Sequence, residues 1–168
     1  MPITLAKAGV TRPGFPAAAR ARLAAYARAV LAREGVTRAD VGIVFAADPD
    51  LRDLNARYRG IDRATDVLSF TYADDGPGAA ARSLEGELYL STARIAAQAR
   101  RYRHSPGAEL LRLVTHGLSH LCGHDHVKAG ERRIMRAAER QALRADLPRG
   151  GAAAFEAIAG AALRGERL

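Results

Sequence analysis

The chain has 168 residues, 48% of them hydrophobic, which is enough to bury one core but not two. We therefore expect a single domain. No stretch approaches the ~18 consecutive apolar residues that a membrane span needs, and the first residues contain no continuous apolar run. These features exclude a membrane-spanning helix and predict a cytoplasmic protein.

The net charge of the chain is +8, with 24 arginines among its 26 basic residues. An excess of positive charge is typical of proteins that meet phosphate backbones. An Arg- and Ala-rich composition also arises from a GC-rich genome, so the charge alone leaves a phosphate-binding function open. The single cysteine, Cys122, cannot form an internal disulfide, which agrees with a reducing compartment.

The first predicted element is an amphipathic helix over residues 17–34, whose apolar residues recur at helical spacing before Gly35 provides a stop. A short β-branched and aromatic run at residues 41–46 predicts a buried strand. The following Asp48-Pro49-Asp50 is a helix-start signal and predicts a short helix through Tyr58.

Two further strands are predicted at residues 67–72 and 87–91, separated by a loop rich in Asp, Gly and Pro. We expect them to be neighbours in one sheet. Ser91 or Thr92 then caps a helix that runs to about Arg103.

The next two predicted elements are helical. Ser105-Pro106 opens a helix that continues to Gly123, and another helix extends from about Ala129 to Arg144.

The Gly/Ala-rich tail at residues 149–168 either forms a frayed helix around Phe155 and Ile158 or stays mobile. We therefore place one domain at residues 1–148. Its predicted class is α/β (α+β), with a small three- to four-stranded mixed sheet packed with about five helices.

Four of the five histidines fall within the eleven residues 116–126, and this cluster is the most informative feature of the sequence. On a helix, His116 and His120 lie one turn apart on the same stripe, close enough to share one metal ion. The opposite arc of this helix is apolar. Two histidines at this spacing are more often exposed surface residues without a function, but the residues that follow favour a metal-binding site.

Gly123 allows the chain to leave the helix, and His126 is placed to return as a third ligand. Three neutral imidazoles suit a tetrahedral zinc ion and leave one position for water, as in catalytic sites. His124 is a rival third ligand, although Gly123 interrupts the turn between it and His120. Cys122 falls in the apolar arc and is more simply a small buried hydrophobe than a fourth ligand.

The residue after the first histidine is Gly117. Zinc peptidases with a His-Glu-x-x-His helix have their general base, a glutamate, at this place. A peptidase mechanism of that type therefore lacks its base.

The run His116-Gly-Leu-Ser-His-Leu-Cys-Gly-His-Asp-His126 resembles the signature of the YbeY family, bacterial endoribonucleases also called rRNA maturation factors. A second block, Leu54-Asn-Ala-Arg-Tyr-Arg-Gly-Ile-Asp62 followed by Thr65-Asp-Val-Leu-Ser-Phe70, resembles another segment of the same family. The resemblance spans roughly residues 40 to 145. The family usually has Leu where this chain has Ser119, but the three candidate ligands are unaffected.

The resemblance implies a single-strand-specific, metal-dependent endoribonuclease that acts in 16S rRNA 3′ end maturation and ribosome biogenesis. It implies one zinc ion per chain on His116, His120 and His126, with His116 and Arg59 catalytic and Arg59 contacting the RNA phosphate. The implied partners are the rRNA of the small ribosomal subunit and also ribosomal proteins or assembly GTPases.

The residues by themselves leave several alternatives open. Arg59 would more simply cover a surface or pair with Asp62 or Asp66, and Asp66 is better explained as a local hydrogen-bonding residue than as a base. The site also suits nickel, cobalt or copper. The protein is alternatively a non-catalytic ribosome-assembly or RNA-binding factor with a structural metal, or a metallohydrolase that acts on another substrate such as a peptide. A fourth protein ligand, His124 or Cys122, would favour the structural role.

Overall fold

The computed structural model of the chain describes residues 1–8, 15–77, 80–124 and 155–163. Within these ranges no helix is both long and apolar enough to cross a membrane. The elements in chain order are β1 (Ile3–Lys7), α1 (Ala17–Arg33), β2 (Val36–Ala46), α2 (Asp48–Arg59), β3 (Val67–Asp74), β4 (Arg82–Ser91), α3 (Thr92–Tyr102), α4 (Pro106–Leu121) and α5 (Glu156–Leu163).

The four strands form one mixed sheet in the order β1-β2-β4-β3. Strand β2 pairs in parallel with both β1 and β4, whereas β3 pairs antiparallel with β4, with Val67 opposite Leu90. The predicted α+β class with a small mixed sheet is confirmed, as is the expectation that the strands around residues 67–72 and 87–91 are neighbours. Strand β3 is therefore an edge strand.

The predicted helices correspond to α1, α2, α3 and α4, within one or two residues at their ends. Ser91 caps α3 by accepting a hydrogen bond from the backbone N–H of Arg94, and Ser105 caps α4 in the same way through Ala108. Strand β2 begins at Val36, five residues before its predicted start, and β1 was not predicted.

The predicted helix at residues 129–144 and the predicted domain boundary at residue 148 lie outside the described ranges. For the tail, the helical alternative around Phe155 and Ile158 agrees with the structure, because α5 is a helix. Ile158, Ala159 and Ala162, with Phe155 just before the helix, are fully buried in the main core.

The two faces of the sheet carry different helices. On one face, Leu88 and Leu90 of β4 join the main core with α1, α4 and α5. On the other face, Tyr89 joins a small cluster with Leu51 of α2 and Leu68 of β3. The pocket described below lies where the edge strand β3 passes between α2 and α4.

Helix α4 packs unusually closely on the sheet. A Cβ atom placed on Gly117 would lie 2.9 Å from Cδ2 of Leu88 and 3.2 Å from Cγ2 of Val67. The hydroxyls of Ser69 and Thr71 on β3 donate hydrogen bonds to backbone carbonyls of α4, that of Ser69 to Gly117 at 3.1 Å. The absence of a side chain at Gly117 therefore allows α4 to lie close to the sheet, and the two hydrogen bonds tie the helix to β3.

Candidate functional site

A pocket of about 790 Å³ opens at this edge of the sheet. Its walls are the end of α2, the first half of β3 with the two residues before it, and the end of α4. The pocket brings Arg59 of the second sequence block together with His116 and His120 of the histidine cluster. Two regions some sixty residues apart in the sequence thus share one site.

The paired histidines are arranged as the helical spacing predicted. Their Nε2 atoms are 3.2 Å apart, and their rings lie 4.7 Å apart at 79°. A tetrahedral zinc ion with ~2.0–2.1 Å bonds would hold two imidazole nitrogens about 3.3 Å apart. The two Nε2 atoms can share either a proton or a cation, and their distance fits a shared zinc ion.

The opposite arc of α4 is buried, as predicted, with Leu110, Val114, Leu118 and Leu121 in the main core. His116 and His120 are only half-buried. The pair therefore lies at the rim of the core, where both solvent and substrate can reach it.

The third predicted ligand, His126, lies outside the described residues. Among those that the structure describes, no three His, Cys, Asp or Glu side chains are grouped as a metal site. The geometry thus supports two members of the predicted ligand set, and His126 stays a prediction.

The turn that would bring His126 back is present at Gly123. This residue has φ of +87°, a left-handed conformation that glycine adopts without strain. Its N–H donates to the carbonyl of His120 at 3.0 Å, and the N–H of His124 donates to that of Ser119 at 3.0 Å. The chain therefore leaves α4 here, as the sequence predicted.

Cys122 and His124, the alternative ligands, both have other contacts. Cys122 is only 7% exposed, in the main core, and burial followed by the nearby Glu34 carboxylate raises the pKa of its thiol to about 12. His124 lines the pocket, but its Nε2 lies 2.6 Å from Oε2 of Glu34. These contacts agree with the reading of Cys122 as a buried hydrophobe.

Arg59 lies in the last turn of α2 with its side chain exposed at the pocket. Its two suggested partners are engaged elsewhere. Asp62 accepts two hydrogen bonds from Arg52, at 2.5 and 2.7 Å. Asp66 accepts from Gln98 at 3.2 Å and lies 3.7 Å from a guanidinium nitrogen of Arg112. The ion-paired alternative for Arg59 is thus not what the structure shows.

Asp66 is a local hydrogen-bonding residue, as predicted. One carboxylate oxygen accepts from the backbone N–H of Val67 at 3.1 Å and the hydroxyl of Thr65 at 3.2 Å. Burial on its own would raise the pKa of this carboxyl. The hydrogen bonds from Gln98 and the backbone, together with the charge of Arg112, outweigh burial and hold the pKa below its usual value.

Arg82 was not predicted as a site residue, and its side chain is only 4% exposed. It donates two hydrogen bonds to the Asp74 carboxylate, at 2.7 and 2.5 Å, and one each to the carbonyls of Glu34 and Cys122. These bonds join the ends of α1 and α4 to β3 beside the Gly123 turn. Arg82 begins a polar stretch of sequence, which gives no signal of burial.

The fold and the pocket define a small α+β protein with a histidine pair and an exposed arginine at one sheet edge. Residues 15–145 match the model of the family described as Endoribonuclease YbeY. The match covers more than half of the chain, and the chain belongs to this family.

Individual relatives agree. The Endoribonuclease YbeY of Roseiflexus sp. (strain RS-1) is 46% identical over 112 residues, which cover 63% of this chain and 69% of that protein. Its counterpart in Anaeromyxobacter sp. (strain Fw109-5) is 39% identical over 143 residues, covering 85% and 68%. The solution structure of TM1509 from Thermotoga maritima shares the fold, with a TM-score of 0.53 over 84% of this chain and 89% of that one, at 22% identity.

Proposed function

We propose that this protein is a metal-dependent endoribonuclease that cuts single-stranded RNA in the pocket at the β3 edge. The observation that carries the proposal is the convergence of two imidazole Nε2 atoms, 3.2 Å apart, with an exposed guanidinium in the same pocket. Membership of the endoribonuclease family supports RNA as the substrate. The sequence resemblance further supports a cytoplasmic role in 16S rRNA 3′ end maturation and ribosome biogenesis.

The proposed metal ligands are His116, His120 and His126, and the proposed ion is zinc. When bound, zinc would supply Lewis acidity toward a phosphoryl oxygen and lower the pKa of water. The protein's contribution is a rigid pair of donors, because α4 is anchored to β3 by the Ser69 hydrogen bond and by its close packing at Gly117. Pre-set donors need no reorganisation during the reaction.

Arg59 is proposed to hold the phosphate that is cut. A guanidinium binds two phosphate oxygens at once and offsets the negative charge that develops at phosphorus. Because Asp62 and Asp66 are engaged with Arg52 and Gln98, their carboxylates do not compete for this guanidinium.

The position of Cys122 supports an open site over a closed structural one. A structural zinc usually has four protein ligands. Cys122 is buried in the main core, and Nε2 of His124 is held by Glu34, so His124 has only its Nδ1 left to offer an ion. Gly117, packed on Leu88, leaves no space for the glutamate base of a zinc peptidase.

The test is cleavage of a labelled single-stranded RNA and of its duplex by purified protein. We expect only the single strand to be cut, and both Arg59→Ala and His116→Ala to lose about 100-fold or more in kcat. Arg22→Ala is the matched control, since it removes the same charge from an exposed helical position outside the pocket. Cleavage retained by both pocket variants in nuclease-free preparations would exclude the proposed site.

A further inference from the structure

Aromatic side chains extend from the pocket across the neighbouring sheet face. Tyr58 and Phe70 line the pocket, and their ring centroids are 5.0 Å apart at 65°. Phe70 in turn lies 5.8 Å from Tyr89, edge to face. Tyr72 adjoins them, because its hydroxyl and that of Tyr89 donate to the same oxygen of Glu87, at 2.8 and 2.9 Å. We call Tyr58, Phe70, Tyr72 and Tyr89 the aromatic shelf.

The shelf is both exposed and held in place. Tyr58 and Tyr72 are each 61% exposed, although large aromatic side chains bury most of their surface in folded proteins. The hydroxyl of Tyr72 donates to Glu87 at 2.8 Å, and this hydrogen bond, followed by burial, raises the pKa of Tyr72 to about 12. Ring faces that are already fixed lose little conformational freedom when a planar ligand stacks on them.

Positive charge accompanies the exposed ring of Tyr58 at the pocket. Arg57 and Arg59 precede and follow Tyr58 in the last turn of α2, and both are exposed. In single-stranded nucleic acid, bases alternate with phosphates along the chain. Arg59 lines the same pocket as Tyr58, so a guanidinium and an exposed ring both face that pocket, and proteins bind single strands by stacking bases on aromatic rings beside a basic track.

We propose that the aromatic shelf stacks the bases of single-stranded RNA, with Tyr58 taking the base next to the phosphate held at Arg59. The inference depends on the proposed RNA cleavage and adds a base-binding subsite to it. A stacking site selects single strands, because the bases of a duplex are already stacked on each other.

The absence of tryptophan from the sequence allows a direct test. Tyr58→Trp introduces a single fluorescent reporter at the shelf. On stopped-flow mixing, before cleavage proceeds, a short single-stranded oligoribonucleotide should quench this tryptophan, and a base-free strand of equal length should not. Tyr102→Trp is the matched control, because Tyr102 also lies between two arginines and is 57% exposed, but does not line the pocket.

Cleavage kinetics give the second readout. Tyr58→Ala should raise KM about tenfold with kcat nearly unchanged, whereas Tyr58→Phe, which keeps the ring, should keep the wild-type KM. If the unaltered protein cuts RNA but Tyr58→Trp is not quenched and Tyr58→Ala keeps its KM, the inference is wrong and the proposed function stands. Equal quenching of the Tyr102→Trp fluorescence by the oligoribonucleotide would also overturn the inference. So would a Tyr58→Ala variant that keeps its affinity for RNA but no longer binds a partner protein. Failure of the unaltered protein to cut RNA would overturn the proposed function itself.

Discussion

At the scale of single residues, Gly117 shows how packing and chemistry limit each other. It follows His116, where a peptidase would have its glutamate, and the sequence by itself indicates only that this base is missing. The structure adds a steric reason, because a Cβ atom there would lie 2.9 Å from the buried Leu88. A side chain at this position would force either the buried Leu88 methyl groups or α4, with its histidines, to shift.

Replacing Gly117 with Ala should therefore lower the free energy of unfolding by about 1–3 kcal/mol, as overpacking of cores does. Denaturant unfolding measures the change. Gly42→Ala is the control, since its Cβ would meet only the Glu87 side chain, at 3.2 Å. Equal stability of the two variants would show that α4 has room to move.

The site features that the sequence predicted depend on neighbouring residues, whereas those that it did not predict depend on contacts between residues far apart in the chain. The approach of His116 and His120 follows from helical periodicity over four residues, and the turn at Gly123 follows from glycine chemistry. The engagement of His124 with Glu34 joins positions ninety residues apart, so no local pattern predicts it. The same holds for the burial of Arg82.

At the scale of elements, Arg82 joins α1, β3 and α4 through buried and part-buried hydrogen bonds. Its side chain and that of Asp74 are only 4% and 18% exposed. Arg82→Met keeps the volume but leaves the Asp74 carboxylate and two carbonyls without this donor. We expect a loss of about 3 kcal/mol in the free energy of unfolding at neutral pH, as for other broken buried pairs.

The loss should depend on pH in a defined direction. The hydrogen bond from Arg82 is the largest cause that holds the pKa of Asp74 below its ordinary value of 3.8. A carboxyl group whose pKa is lowered by folding stabilises the fold at pH values above its pKa in the unfolded chain. This stabilisation is lost as the pH falls through its pKa in the folded protein. The difference in the free energy of unfolding between the unaltered protein and Arg82→Met should thus be largest above pH ~4 and become smaller below it. A difference that grows on acidification would contradict this account.

Strand β1 shows what sequence patterns do not reveal about elements. Ile3 and Leu5 of this strand pack on the core, and both are partly exposed. The strand forms because it pairs with β2, where Ile3 lies opposite Val41, nearly forty residues away. The polar residues near the start of β2 and of β4 are likewise extended because the two strands pair with each other there, and not because of hydrophobic periodicity.

At the scale of the whole molecule, α5 belongs to the same core as the histidine helix. Phe155 is fully buried and lies 5.9 Å from the ring of Tyr26, edge to face. The hydroxyl of Tyr26 is 2.6 Å from that of Thr115 on α4. Residues 155–163, which fall within the predicted tail, therefore belong to the core that supports the helix carrying the site.

Truncation of Phe155 tests this connection. Phe155→Ala should cost about 3–5 kcal/mol in the free energy of unfolding, because it leaves a cavity at the centre of the core. Phe155→Leu, which fills most of that space, should cost under about 1.5 kcal/mol. A negligible effect of the Ala variant in thermal or denaturant unfolding would place α5 outside the cooperative core.

The central claim is that RNA cleavage depends on a metal ion held by His116, His120 and His126. The most direct measurement combines elemental analysis with RNA cleavage before chelation, after chelation and after zinc is restored. We predict about one metal ion per chain, loss of cleavage with the metal, and its recovery with zinc in the unaltered protein but not in His116→Ala or His126→Ala. Full cleavage by the metal-free protein, or one tightly bound ion in the His116→Ala variant, would contradict the claim.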